Sequence, residues 1–175
     1  MSKLGKKIIS VPKDSKVAIQ GNSVTVTGPK GTEKILFNEK VFSSKVNDKN
    51  EFMISPLKKD KSSSAMWGTY RSLINNAIFG VTKGHEKNLE LSGVGFKVAQ
   101  QGDELKLKLG FSHEAIYKVP KGINIKIEKQ TKINIAGTDK SLVSKVASEI
   151  KSLKPVEPYK AKGIKEKDQY VIRKE

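Results

Sequence analysis

Two stretches of this chain run through the same order of patterns, and that repetition limits the fold more than any other feature. In the first, short alternating apolar runs (Val17 and Ile19, Val24 and Val26, Ile35 and Phe37, Phe52 and Ile54) lead up to Asp60-Lys61-Ser62. Alternation with period two is the mark of half-buried strands. Beyond the tripeptide, Met66, Tyr70, Leu73 and Ala77 recur at spacings of three and four, with Trp67, Ile74 and Ile78 alongside. That spacing predicts an amphipathic helix behind a polar cap, closing at Gly80.

The second stretch repeats this order. Leu89, Leu91, Val94 and Val98 come first, then Leu105, Leu107 and Leu109, Ile116 and Val119, then Ile123, Ile125, Ile127, Ile133 and Ile135, all strand-like. Thr138-Asp139-Lys140-Ser141 follows, and then Leu142, Val143, Val146, Ile150 and Leu153 at helical spacing. Asp-Lys-Ser at Asp60 returns as Asp-Lys-Ser at Asp139, and the glycine turn at Gly28 returns at Gly110, each after about 80 residues, which is the signature of a tandem repeat. The expected fold is α+β, with two similar domains, each an antiparallel sheet with one main helix packed on one face. The seam near Gly80 to Gly84 divides residues 1–82 from residues 83–175, the second domain carrying a basic extension.

Charge limits the partners. The chain has 34 Lys and Arg against 18 Asp and Glu, a net charge of +16, and such a surplus calls for a polyanion. Only Arg71 and Arg173 are arginines, so phosphates would be met by flexible ammonium groups rather than guanidinium forks, and binding would weaken steeply with salt. Cysteine is absent. This removes disulfides, thiolate metal sites and thiol nucleophiles, and suits the reducing cytoplasm. The N-terminal apolar run after Lys3, Lys6 and Lys7 stops at Pro12, too soon for a signal peptide. No stretch approaches the roughly 18 apolar residues of a membrane-spanning helix, so a soluble protein is expected.

Catalytic readings find little support. His85 and His113 are the only candidates for bases at neutral pH, and the carboxylates are scattered among lysines rather than paired. No enzyme activity, metal or cofactor is expected. Gly28-Pro29-Lys30-Gly31 matches the GXXG of KH domains, but strand patterns flank it on both sides, so it reads as a connecting turn with Lys30 at its tip. Gly93-Val94-Gly95-Phe96-Lys97 begins like a dinucleotide fingerprint and then fails it, because Val98 stands where the third glycine belongs. Two readings stay open there: close packing within the protein, and close approach to a phosphate backbone with Lys97 beside it.

Residues 154–164, Lys-Pro-Val-Glu-Pro-Tyr-Lys-Ala-Lys-Gly-Ile, carry two prolines three apart, which exclude helix and predict an extended ribbon. In such a ribbon Lys160 and Lys162 share one side and Tyr159 and Ala161 the other, so it could follow a phosphate backbone and stack one base. The alternative is a solvated cationic tail.

The wording of this segment resembles the signature of the bacterial large-subunit ribosomal protein six family: Pro-Tyr-Lys, Gly or Ala, Lys-Gly, then an aliphatic residue, matched by Pro158 to Ile164. SKLGKKIISVP, VTVTGPKGT, GTYRSLINN, KGHEKNLELSGVGFKV, LGFSH, QTKINIAGTDK and VASEIKSLKPVEPYK are similar to family segments in the expected order. The resemblance implies a non-catalytic constituent of the large ribosomal subunit, in the cytoplasm, with two domains derived by duplication. It also implies binding to large-subunit ribosomal RNA mainly through the C-terminal domain, near the translation-factor-binding region and the sarcin-ricin loop, among neighbouring ribosomal proteins. Carried over by position, the RNA-binding candidates are Gly93, Gly95, Phe96 and Lys97 together with Tyr159, Lys160, Lys162 and Gly163. Arg71, Lys151, Lys154 and Lys165 are further candidates, with a surface ion pair as the alternative role for Arg71. The rival reading, a peripheral protein drawn to anionic membrane surfaces, lacks a basic amphipathic helix or lipidation signal.

Overall fold

The computed structural model of the chain describes residues 5–38, 41–47, 51–57 and 60–174. Lys3, read with the N-terminal basic run, lies outside the described residues. The chain divides into two compact units, Met1–Gly84 and His85–Glu175, each with its own core.

In the first unit, β1 (Ile9–Ser10), β5 (Phe42–Asn47) and β6 (Glu51–Pro56) form one sheet in the order β1-β6-β5. A second sheet is the meander of β2 (Lys16–Gln20), β3 (Ser23–Gly28) and β4 (Gly31–Leu36). Helix α1 (Lys61–Thr82) packs against β3, β4 and β6. In the second unit, β8 (Lys97–Gln101), β9 (Glu104–Lys108) and β10 (Ala115–Lys118) form the matching meander. The other sheet orders β11 (Ile123–Glu128), β12 (Lys132–Gly137), β7 (His85–Ser92) and β13 (Gly163–Glu166) as β11-β12-β7-β13. Helix α2 (Lys140–Leu153) packs on β7, β12 and β13. The duplicated α+β fold is therefore present, with antiparallel pairing throughout and two sheets rather than one in each unit.

The strand alternation maps onto the cores. Val24, Val26, Phe52 and Ile54 are buried with Trp67, Ile74, Ala77 and Ile78 of α1, and the Trp67 indole N–H donates to the Ile54 carbonyl at 2.7 Å. Leu89, Leu105, Leu107, Ile133, Ile135 and Ile150 make the core of the second unit, each contributing about 1.5–3 kcal/mol on burial. Some expectations fail locally. Helix α1 continues through Gly80, which is buried, to Thr82. It ends where Gly84, at φ +83°, donates back to the Phe79 carbonyl, as a glycine in the left-handed region allows. The buried stripe of α1 follows Trp67 and Ile74, leaving Met66 and Leu73 substantially exposed. Val94 lies in a turn and Ile116 points outward, because Ala115 and Tyr117 take the inward positions of β10.

The Gly28 to Gly31 segment is the β3–β4 turn, as its flanking strands predict. Lys30 at its tip is already engaged: its backbone N–H reaches the Val81 carbonyl and its ammonium the Lys83 carbonyl. A cation at the C-terminal end of α1 is favourably placed against the helix dipole. No helix among the described residues is long and apolar enough to cross a membrane.

Candidate nucleic-acid interface

Residues 93–97 connect β7 to β8. The Phe96 N–H bonds back to the Gly93 carbonyl at 3.4 Å, and Gly95 sits at φ +77°, so a turn with positive φ at its third residue throws Val94 out to 92% exposure. The two glycines have different reasons. A Cβ on Gly93 would lie 2.8 Å from the Phe96 ring, whereas nothing lies within 4 Å of the corresponding point at Gly95. Gly93 therefore serves internal packing, while the backbone at Gly95 is left uncovered by the rest of the chain. Phe96 is buried in the core. Its ring cannot stack a base, so its part in any interface is to hold the loop. Lys97 opens β8 with its side chain exposed.

Residues 154–163 are neither an extended ribbon nor a tail. Pro155 stops α2, and the Lys154 carbonyl left at the helix end accepts the Ile164 N–H of β13 at 2.9 Å. Between them the chain folds into a compact loop: Glu157 N–H bonds to the Lys162 carbonyl at 2.9 Å, Ala161 N–H to the Glu157 carbonyl at 3.0 Å, and Ala161 takes φ +53°. The prolines exclude helix as expected, but these cross-loop bonds bend the segment at Pro158 to Lys160, so the alternation of sides foreseen for a ribbon does not hold. Tyr159 and Lys160 occupy the exposed tip, with Lys162 exposed beside it. Gly163 marks where the two legs meet, since a Cβ there would fall 2.6 Å from the Pro155 carbonyl oxygen.

The two loops adjoin. Gly163 pairs with Ser92, the last residue before the glycine loop, which places residues 93–97 and 154–163 at the same end of neighbouring strands. A hollow between them is lined by Phe96, Phe111, Lys154, Pro155 and Lys162. The Lys154 ammonium lies 4.4 Å from the centre of the Phe111 ring, which stacks on His113; the cation–π contact holds Lys154 over this hollow. Sequence reasoning assigns Phe111 no role, because nothing in Gly-Phe-Ser-His reveals that a lysine more than forty residues on will lie over its ring.

Other candidates stand apart. Lys151 is ion-paired with Glu166 at 3.3 Å, and the same carboxylate holds Lys87 at 2.6 Å. The Lys87 hydrogen bond chiefly, opposed by partial burial and assisted by Lys151, keeps the Glu166 carboxyl below its ordinary range. Lys165 faces Glu90 at 3.9 Å in a cross-strand row with Lys132, and successive residues of a strand point to opposite faces. Lys151 and Lys165 are thus on opposite sides of the sheet, each beside a carboxylate. Arg71 belongs to the first unit, where its guanidinium donates to the Lys7 carbonyl at 3.3 Å; this backbone bond stands where the sequence suggested an ion pair. Among the described residues no cluster of His, Asp and Glu could hold a metal.

The sequence model of the family described as "Ribosomal protein L6" matches residues 11–84 and 92–167, one match in each unit. This chain belongs to the ribosomal protein L6 family. The protein of Nitratiruptor sp. named "Large ribosomal subunit protein uL6" is 46% identical over 99% of this chain and 96% of its own length. Its counterpart of the same name in Bartonella henselae is 44% identical over 100% of this chain and 98% of its own length. The second L6 match opens at Ser92 and ends at Lys167, so it holds both loops, β13 and every candidate except Arg71. The L6 family is a structural, non-catalytic component of the ribosome.

Proposed function

We propose that the protein is a constituent of the large ribosomal subunit that binds large-subunit rRNA mainly through its second unit, beside the translation-factor-binding region and the sarcin-ricin loop. Neighbouring ribosomal proteins complete its surroundings, and it supports translation without chemistry of its own. The observation that carries the reading is the pairing of Gly163 with Ser92. It gathers the open backbone at Gly95 and the side chains of Lys97, Lys154, Tyr159, Lys160 and Lys162 from two distant segments onto one end of a sheet. Among the described residues Lys97, Lys154, Lys160 and Lys162 make no ion pair, so their charges remain for phosphates, while Tyr159 offers a ring face to a base or ribose. Gly93, Phe96 and Gly163 set the shape of the loops. Lys151, Lys165 and Arg71 are outlying contacts.

Filter binding of the full chain to large-subunit rRNA across a salt series tests this. Lys160→Ala with Lys162→Ala should weaken binding and flatten the slope of log affinity against log salt by about one unit for each phosphate no longer neutralised. A slope equal to the parent's would remove the loop from the interface.

A further inference from the structure

The outward face of the β8-β9-β10 meander carries a second set of cations. Val98, Leu105 and Leu107 point into the core, so the alternate residues face out, and the strand register arranges them in rows. Lys97 stands opposite Lys108; Ala99, Lys106 and Ile116 form the next row; Gln101, Glu104 and Lys118 form the last. Ile116 in the central row is 60% exposed. Among the described residues none of Lys97, Lys106, Lys108 and Lys118 makes an ion pair. Glu104, in the row of Lys118, is the one carboxylate among the described residues of these rows, and Glu114 lies just before β10.

Like charges placed directly opposite each other across a strand pair destabilise a sheet. Lys97 and Lys108 are such a pair, and the first unit supplies a version of the same surface without it, where Lys34 of β4 stands exposed opposite Thr25. There β2 presents Lys16, Ala18 and Gln20 where β8 presents Lys97, Ala99 and Gln101, and Lys16 stands opposite Thr27. Thr25 and Thr27 of β3 occupy the register positions that Lys106 and Lys108 hold in β9. The fold is thus built without these two lysines in one copy and with them, against electrostatic preference, in the other.

We propose that this face of the second unit is a phosphate-binding surface for the backbone of large-subunit rRNA, with Lys97 at the corner it shares with the glycine loop. Rows on one strand face lie about 6.6 Å apart, a separation comparable to that of successive phosphates along one strand, so Lys108, Lys106 and Lys118 can follow a run of them. Ile116 lies among them as apolar surface for a ribose. Bound phosphates would also relieve the repulsion between Lys97 and Lys108. This rests on the reading of the second unit as an rRNA-binding module and extends it to a surface with no glycine loop and no aromatic ring.

The test is filter binding of the full-length Lys106→Thr, Lys108→Thr variant to large-subunit rRNA, with thermal unfolding measured in parallel. Affinity at moderate salt should fall about tenfold or more and the salt slope by about two units, one for each lysine replaced. The unfolding temperature should hold or rise, because the cross-strand repulsion is gone. Lys118→Gln serves as an independent single variant and should lower the slope by about one unit. Parental affinity and slope in both variants, while Lys160→Ala with Lys162→Ala weakens binding, would overturn this inference and leave the loops as the interface. If all of these variants bind rRNA as the parent does, the underlying reading falls with it.

Discussion

The two units share an order of strands and differ at one edge. In the first, β1 closes its sheet as a two-residue strand, and among the described residues nothing pairs beyond it. In the second, the equivalent strand β7 is eight residues long and is covered by β13, whose Ile164 is wholly buried beneath α2. The helices follow this difference, since α1 leans on β3, β4 and β6 while α2 leans on β7, β12 and β13. One added strand therefore has two effects. It extends the core, and it anchors one end of a loop that would otherwise be a tethered cationic tail. The exposed lysines and tyrosine of residues 159–162 are held in place because the chain on either side of them, α2 and β13, is packed.

Ile164 and Ile9 offer the strongest way to break this comparison. Both are buried, at 0% and 2% exposure, in β13 and β1, and truncation to alanine at either should cost about 2–5 kcal/mol of the stability of its own unit. Their effects on rRNA affinity should part. Ile164→Ala loosens the anchor of the 154–163 loop and should weaken binding even where the protein remains folded, whereas Ile9→Ala should bind as the parent does. Denaturant titration alongside filter binding measures both. An equal drop in affinity in the two variants would mean that β13 serves the core alone.

Much of the architecture can be read from the residues, because each core is built on regular periods. The Leu105, Leu107 and Ile133, Ile135 alternations and the Val143, Val146, Ile150 stripe need no tertiary information. The failures have physical causes. The first unit's β5, with Ser43, Ser44 and Lys45 in sequence, lacks the apolar alternation that marks a strand and exists because β6 pairs with it. The shape of residues 154–163 is hidden because two prolines state what the backbone cannot do, while the bend comes from hydrogen bonds between Glu157, Ala161 and Lys162 and from pairing of Gly163 with a strand seventy residues away. The candidates that are ion-paired, Lys151 and Lys165, look like any other lysine until Glu166 and Glu90 are brought beside them. The loop glycines are legible as a special backbone, though not which of them serves packing.

The helix starts sharpen the comparison at smaller amplitude. Asp60 and Asp139 open the same tripeptide, yet only Asp139 caps: its carboxylate accepts the Ser141 N–H at 2.7 Å, while Asp60 makes no side-chain cap bond. Asp139→Ala should cost about 1 kcal/mol and Asp60→Ala a few tenths at most, a difference that chemical denaturation resolves. Equal costs would show that the shared Asp-Lys-Ser acts through helix propensity rather than through the cap.

The smallest expected effect concerns the ionic clasp that fastens β13. Glu166 joins Lys87 of β7 and Lys151 of α2, and its carboxyl is lowered from 4.5, first by the Lys87 hydrogen bond. A depressed carboxyl stabilises the fold where the group is ionised in both folded and unfolded chains, above 4.5, and that contribution disappears as pH falls through the lower folded value. The pair is part-exposed, so salt screens it and the effect is modest. Thermal unfolding of Glu166→Gln followed downward from neutral pH should therefore lie below the parent near pH 7 and converge with it in acid. Among the described residues the first unit has no counterpart to β13. If Glu166→Gln ran parallel to the parent, the clasp would contribute nothing to holding the strand, and the attachment of β13 would rest on Ile164 and its backbone pairing with β7.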